Sequence, residues 1–230
     1  DELSKISFEI KRGSTVGIIG GTGSGKSTLI NLIPRFYDVT QGSVEVDGRN
    51  VKDYSFKQLR KQIGIVPQQS ILFKGTIRDN MKWENPDLSD EDIITALKNA
   101  QAYEFVSKLP IGLDSNVEQG GKNFSGGQRQ RLCIARAIAA QPKVLILDDS
   151  FSALDFATDA ALRKALSQYT HEMTVIIVTQ RCSTIMNSDL ILVLDDGMLV
   201  GKGTHKELLK NCETYKEICL SQLSKSEVEV

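Results

Sequence analysis

The sequence predicts an α/β fold built on a mostly parallel sheet. Three observations carry that expectation. Residues 144–147 (VLIL) and 174–178 (TVIIV) are continuous apolar runs, the pattern of strands covered on both faces of a parallel sheet. Residues 14–19 (STVGII) form a short strand-like run that leads straight into a glycine-rich loop. Residues 26–33 (KSTLINLI) then read as a helix. At 230 residues and 40% hydrophobic content, the chain can fill one large domain, or one domain with a subdomain.

The remaining elements follow in order. Residues 44–51 alternate around Asp47-Gly48, a hairpin signal. Residues 90–98 carry acidic residues first and apolar ones at helical spacing after them. Residues 189–200 read as a closing hairpin that turns at Asp196-Gly197, and the tail after Ser221 is polar and expected to fray. The expected organisation is a core over 1–69 and 141–220 that includes an antiparallel β subdomain, an inserted helical subdomain over 70–140, and a polar tail over 221–230. The formal net charge of −1 leaves no basic footprint for nucleic acid. No run approaches 18 apolar residues, and the N-terminus shows no signal peptide. Cys133, Cys182, Cys212 and Cys219 lack C-x-x-C spacing and are expected to be free thiols rather than disulfides or zinc ligands. His171 and His205 stand in polar surroundings and are expected to be solvated.

The loop between the first strand and helix is the strongest chemical signal. Gly20, Gly21, Thr22, Gly23, Ser24, Gly25, Lys26, Ser27 and Thr28 make up a complete phosphate-binding loop, G-x-x-x-x-G-K-[ST] and one residue beyond. Its glycines let successive backbone N–H groups point inward at phosphates. Lys26 offers a point charge to the outer phosphates, and Ser27 a hydroxyl to Mg²⁺. A chance glycine-rich turn would not sit between a strand and a helix. The fold class is therefore narrowed to a P-loop NTPase (RecA-like) core. Asp148 and Asp149 end an apolar strand, where a carboxylate lies at the ligand crevice. Asp148 is placed to hold Mg²⁺ opposite Ser27, and Asp149 to face an attacking water.

Residues 124–128 (FSGGQ) precede a helical stretch, with Ser125 as a natural N-cap and Gly126-Gly127 leaving room for a phosphate at the helix start. The phosphate loop, the S-G-G-Q signature, the L-I-L-D strand and residues 152–155 (SALD), in this order, resemble the nucleotide-binding domain of an ABC transporter over nearly the whole chain. The resemblance implies ATP and Mg²⁺ as cofactors. It also implies a second such domain, whose bound ATP is covered by Ser125, Gly126, Gly127 and Gln128, with Asp155 at the shared interface. Gln68 matches the glutamine that reaches Mg²⁺ and senses the membrane domain. Residues 73–80 and 118–121 resemble exporter loops. A transmembrane domain, upstream in the same polypeptide, and a place on the cytoplasmic face of the membrane are implied in turn. The aromatic residue that stacks on adenine in the family would fall before residue 1, so the chain reads as a fragment.

Two positions depart from the family pattern. Asp149 stands where the family has glutamate as general base, and Gln180 where it has the switch histidine. A base must come within about 3 Å of its proton, and aspartate is one methylene shorter. Glutamine hydrogen-bonds a phosphate without carrying a proton. The expectation is a weakly hydrolytic site on this chain and a competent one on a different partner subunit, completed by this chain's signature. Two other readings stay open: a catalytically competent homodimeric ATPase, and a module that holds ATP without hydrolysing it. A soluble ABC ATPase of DNA repair or translation fits the neutral charge and the exporter-like loops poorly.

Overall fold

The computed structural model describes residues 3–169 and 173–223. Strand β1 (Thr15–Ile19) opens the central sheet and runs into α1 (Lys26–Leu32). The short strands β2 (Glu45–Val46) and β3 (Arg49–Asn50), then α2 (Phe56–Arg60) and β4 (Ile63–Val66), complete the first part. Next come β5 (Gly75–Thr76), α3 (Ile77–Met81), α4 (Asp90–Asn99), α5 (Tyr103–Ser107), β6 (Asn116–Val117) and α6 (Gly126–Ala139). The chain closes with β7 (Val144–Asp148), α7 (Phe156–Tyr169), β8 (Thr174–Thr179), α8 (Cys182–Ile185), β9 (Leu190–Asp195), β10 (Met198–Gly203), α9 (His205–Asn211) and α10 (Glu213–Gln222).

Six strands form one sheet in the order β10-β9-β1-β8-β7-β4. All neighbours are parallel except β10, which turns back antiparallel on β9. The apolar runs occupy the middle of this sheet, and the strand pleat sorts them. Val16, Ile18, Ile146, Ile176, Val178, Leu192 and Leu194 enter one buried cluster with Leu29 and Ile30 of α1. Ile19, Leu145, Leu147, Val175, Ile177, Ile191 and Val193 enter a second cluster with residues of α4, α6, α7 and α10. A strand covered on both faces has no polar side, which is why these segments read as unbroken apolar runs. At the edge, β10 alternates between exposed and half-buried positions, as an outer strand does.

The stretch 70–140 holds α3 to α6 and the small antiparallel pair of β5 with β6. It is not a separate core. Leu132, Ile134 and Ala135 of α6 share one cluster with Ile93 and Leu97 of α4 and with Leu145 and Leu147 of the sheet. Five helices (α2, α3, α4, α6 and α9) begin with a reciprocal capping box, from Ser55, Thr76, Ser89, Ser125 and Thr204. These caps satisfy donors that the first helical turn leaves orphaned.

Both hairpin turns form where aspartate precedes glycine, with φ of 56° and 72° at Asp47-Gly48 and 43° and 72° at Asp196-Gly197. Positive φ at two successive residues gives the turn whose twist matches the strands. The first hairpin is shorter than its alternation implies. Its ladder pairs only Glu45 with Asn50 and Val46 with Arg49. Val51 instead enters a 3-10 turn and is buried, and the Asn50 side chain accepts from the Lys52 N–H.

The thiol and histidine expectations need correction. Cys182 and Cys219 are joined as a disulfide, while Cys133 and Cys212 are free and buried. The bonded residues lie 37 positions apart, so a search for close spacing passes over them. They meet because α10 packs back onto α8. His205 is half-buried, not solvated, and its Nδ1 lies 2.7 Å from the Tyr215 hydroxyl. His171 and the tail from 224 onward fall outside the described residues, whereas Ser221 and Gln222 still belong to α10.

Leu147 is fully buried on β7, between β8 and β4. Leu147→Ala is expected to cost about 2–5 kcal/mol in urea unfolding. Phe156→Ala, at a side chain 80% exposed, is expected to change stability by no more than about 0.5 kcal/mol. Equal effects would contradict this account of the core.

Candidate nucleotide site

The site is assembled by parallel pairing. Ile19 lies opposite Thr179, Val66 opposite Leu147, and Asp148 opposite Val178. The carboxyl ends of β1, β4, β7 and β8 therefore share one edge of the sheet. Gly20, Asp149 and Gln180 follow those ends directly, and Gln68 lies two residues beyond β4. That edge is the ligand crevice of open α/β sheets.

The loop after β1 is shaped by its glycines. A Cβ on Gly20 would sit 2.2 Å from the Leu194 carbonyl oxygen and 2.6 Å from Ser24 Oγ. Gly23 and Gly25 have φ of 79° and 93°, values that side chains rarely adopt. Around Gly21 and Gly23 there is open space. Gly25 precedes α1 and, having no side chain, gives the helix no side-chain cap. The Lys26 ammonium donates to the carbonyls of Gly20 at 2.8 Å and Gly21 at 2.6 Å, and to Ser24 Oγ at 3.2 Å. Burial lowers the Lys26 pKa, and the charges of Asp148 and Asp149 oppose that shift.

The Ser27 hydroxyl lies beside the Asp148 carboxylate and favours its charged form. Burial pushes the Asp148 carboxyl above its usual range, and the neighbouring Asp149 charge adds to the shift. Lys26 and the Ser27 hydroxyl offset only part of it. A carboxylate in this condition has an unmet demand for positive charge. The hydroxyl and carboxylate oxygens are the hard donors that Mg²⁺ takes, and the open, glycine-lined loop suits phosphates. The residues present thus fit both groups.

Asp149 itself adopts φ of 46°. Its N–H donates to the Val178 carbonyl, and its carbonyl accepts from Ser152. This left-handed turn redirects the chain immediately after Asp148, a feature that strand patterning alone does not reveal. Gln180 and Gln68 are both exposed. The Gln180 carbonyl accepts from Gln222 Nε2 at 2.7 Å, which ties the end of β8 to α10.

The signature residues form a built helix start. Ser125 Oγ accepts from the Gln128 N–H at 3.2 Å, and Gln128 Oε1 accepts from the Ser125 N–H at 3.0 Å. Gly126 faces open space, whereas a Cβ on Gly127 would lie 3.2 Å from the Ala153 carbonyl oxygen. Asp155 caps α7 through Thr158, with bonds of 2.9 and 2.7 Å, and these bonds hold its carboxyl below the usual range. Two residues within α6 carry no motif signal. Arg131 ties the Gly127 and Gln101 carbonyls together, and buried Gln130 accepts from Ser70 Oγ at 2.5 Å. Their only sequence signal is a polar residue on the inward face of α6. The exporter-like segment 118–121 is held next to the residue that precedes segment 73–80, since the Gly120 N–H donates to the Leu72 carbonyl.

Comparison with known proteins agrees with this geometry. The profile of the ABC transporter family matches residues 3–152. The Bacillus subtilis ABC transporter ATP-binding protein YfiB is 47% identical over 98% of this chain and 39% of its own length. A putative multidrug export ATP-binding/permease protein of Staphylococcus aureus is 44% identical over 94% of this chain and 37% of its own. The chain thus spans about two fifths of these relatives. A bacterial Atm1-family ABC exporter, solved with ATP bound, superposes with a TM-score of 0.91 at 38% identity. That match covers 96% of this chain and 39% of the other. No helix among the described residues is long and apolar enough to cross a membrane.

Gly20→Ala is expected to destabilise the ligand-free chain by about 1–3 kcal/mol, because its Cβ would meet fixed backbone. Gly21→Ala is expected to change stability by less than about 0.5 kcal/mol. Thermal melts of the two variants check this, and a silent Gly20→Ala would contradict the loop packing described above.

Proposed function

The chain belongs to the ABC transporter family, and we propose that it is the ATP-binding domain of an exporter whose own nucleotide site turns over slowly. The observation that carries this reading is an intact phosphate loop sharing one sheet edge with Asp149 and Gln180. The loop glycines and the N-terminus of α1 would receive ATP phosphates, with Lys26 leaving the Gly20 and Gly21 carbonyls to meet them. Ser27, Asp148 and Gln68 would hold Mg²⁺, which when bound neutralises charge on the transferred phosphate.

Asp149 would orient the attacking water from a carboxylate one methylene short. Gln180 would hydrogen-bond the outer phosphate without moving a proton. The chain keeps its binding groups and lacks the usual proton-handling pair. A missing or misplaced base lowers rates by about 10²–10⁴-fold. The signature is a different matter. Ser125 and Gln128 are fixed by their mutual cap, and open Gly126 leaves the helix start accessible to a phosphate. This supports a role for Ser125, Gly126, Gly127 and Gln128 in closing a competent site on a second, different nucleotide-binding subunit, with Asp155 at that interface.

The proposed setting is the cytoplasmic face of a membrane, where ATP-driven closure would drive efflux through a transmembrane domain. Exposed Phe73 and Trp83, stacked at 4.0 Å where segment 73–80 begins, support that contact. The names of the relatives, which include an export permease and an Atm1-family exporter, support the same direction.

Lys26→Ala is expected to abolish binding of a fluorescent ATP analogue at concentrations that saturate the unmodified chain. Asp149→Glu combined with Gln180→His is expected to raise Mg-ATP turnover by at least about 10²-fold. Turnover that stays at the unmodified level in a variant that still binds nucleotide would overturn the slow-site reading.

A further inference from the structure

The disulfide between Cys182 and Cys219 has an imidazole beside it. One ring nitrogen of His205 and both sulfurs lie within 4.8 Å of one another. Three different elements supply them: Cys182 begins α8, His205 begins α9, and Cys219 lies in α10. Both cysteines are fully buried, while His205 is partly exposed and opens the cluster toward solvent. The Tyr215 hydroxyl completes the group, 2.7 Å from His205 Nδ1 and 3.5 Å from Cys182 Sγ.

The backbone around the cluster is held from several sides. The Cys182 N–H donates to Gln222 Oε1 at 2.9 Å, and Gln222 Nε2 donates to the Gln180 carbonyl at 2.7 Å. The start of α9 is fixed by the Thr204–Glu207 capping box. The Cα atoms of Cys182 and Cys219 are 5.6 Å apart.

We propose that Cys182, Cys219 and His205 form a binding site for a soft d¹⁰ metal ion such as Zn²⁺, present in the reduced protein and closed by the disulfide. A purely structural disulfide makes no use of an imidazole brought up to its sulfurs. Two thiolates and an imidazole are the donor set that such ions select. Ligand atoms on one tetrahedral zinc ion lie about 3.5–3.8 Å apart, given Zn–S and Zn–N bonds of about 2.3 and 2.0 Å. With the Cα atoms 5.6 Å apart and the ligand atoms within 4.8 Å of one another, side-chain rotation is expected to bring the reduced cluster to that spacing. Three protein ligands leave one coordination position, beside the Tyr215 hydroxyl.

The chemistry balances. Two glutathione thiols reduce the Cys182–Cys219 bond, yielding two cysteine thiols and one glutathione disulfide. Two electrons and two protons pass to the protein sulfurs. Metal binding then releases those two protons as the thiols become thiolates. The bound ion would join the segment after Gln180 to α9 and α10. The site stands independently of the exporter reading, because none of its residues belongs to the nucleotide site.

The test uses the chain without nucleotide. Protein reduced with a phosphine and desalted without oxygen is titrated with Zn²⁺ against a chromophoric chelator. One tight equivalent per chain is expected, and none after oxidation by glutathione disulfide. Cys219→Ser is expected to weaken uptake by more than about 100-fold, since even outer partners of metal ligands are worth 10–100-fold. Cys133→Ser is expected to leave uptake unchanged. Co²⁺ in place of Zn²⁺ should show thiolate-to-metal charge-transfer absorption. To remain decisive if Cys219→Ser misfolds, alkylation of the unmodified reduced chain is mapped by mass spectrometry. Zn²⁺ should protect Cys182 and Cys219. Absence of uptake by the reduced chain, uptake equal in the oxidised chain, or labelling of both cysteines unaffected by Zn²⁺ would each overturn the proposal.

Discussion

Everything at the nucleotide site depends on the parallel, in-register pairing of β1, β4, β7 and β8. Because all four strands point the same way, their carboxyl ends coincide, and residues far apart in the chain arrive on one edge. That pairing is held by burial on both faces. Odd and even positions of the strands feed two different apolar clusters, so a slip of one residue would exchange the faces of a whole strand and lose both sets of contacts. Register and site are thus one constraint. The phosphate loop adds a second, local one. Gly20 lies against the Leu194 carbonyl, which pins the loop to the neighbouring end of β9.

The helical stretch uses the same core for another purpose. Helix α6 carries apolar residues that reach both α4 and the sheet, so its orientation is set by packing along its length. Its N-terminus, with the Ser125–Gln128 cap, is then fixed in place without contributing to that packing. A helix start that is rigid and open is suited to receive something from outside the chain. Asp155 is fixed in a comparable way by its own capping bonds to Thr158.

Much of this was legible in the sequence, and the reasons are local. The phosphate loop, the two Asp-Gly hairpins and the acidic start of α4 are short-range signals, and the strands β7 and β8 show as unbroken apolar runs. What escaped was produced by distant packing. The bond between Cys182 and Cys219 exists only because α10 folds back onto α8, and the contact of His205 with Tyr215 only because α9 and α10 pack on each other. The left-handed turn at Asp149 follows from the redirection of the chain after β7, which an aspartate tolerates and does not announce. The pairing of Ser70 with Gln130 shows only as a polar residue on a buried helix face. The first hairpin is shorter than its alternation suggests because Val51 buries through a 3-10 turn rather than by extending the ladder.

The division of labour between the two nucleotide sites is the central claim, and one hydrolysis measurement addresses it most directly. Steady-state Mg-ATP turnover is followed for this chain alone and during titration with a second nucleotide-binding domain that carries the usual glutamate and histidine and is encoded beside it. The account predicts near-zero activity alone and a rise on mixing, lost when Ser125 is replaced in this chain and largely kept when Asp149 is replaced. Robust, concentration-dependent turnover by this chain alone would contradict it, since Asp149 and Gln180 would then suffice for catalysis.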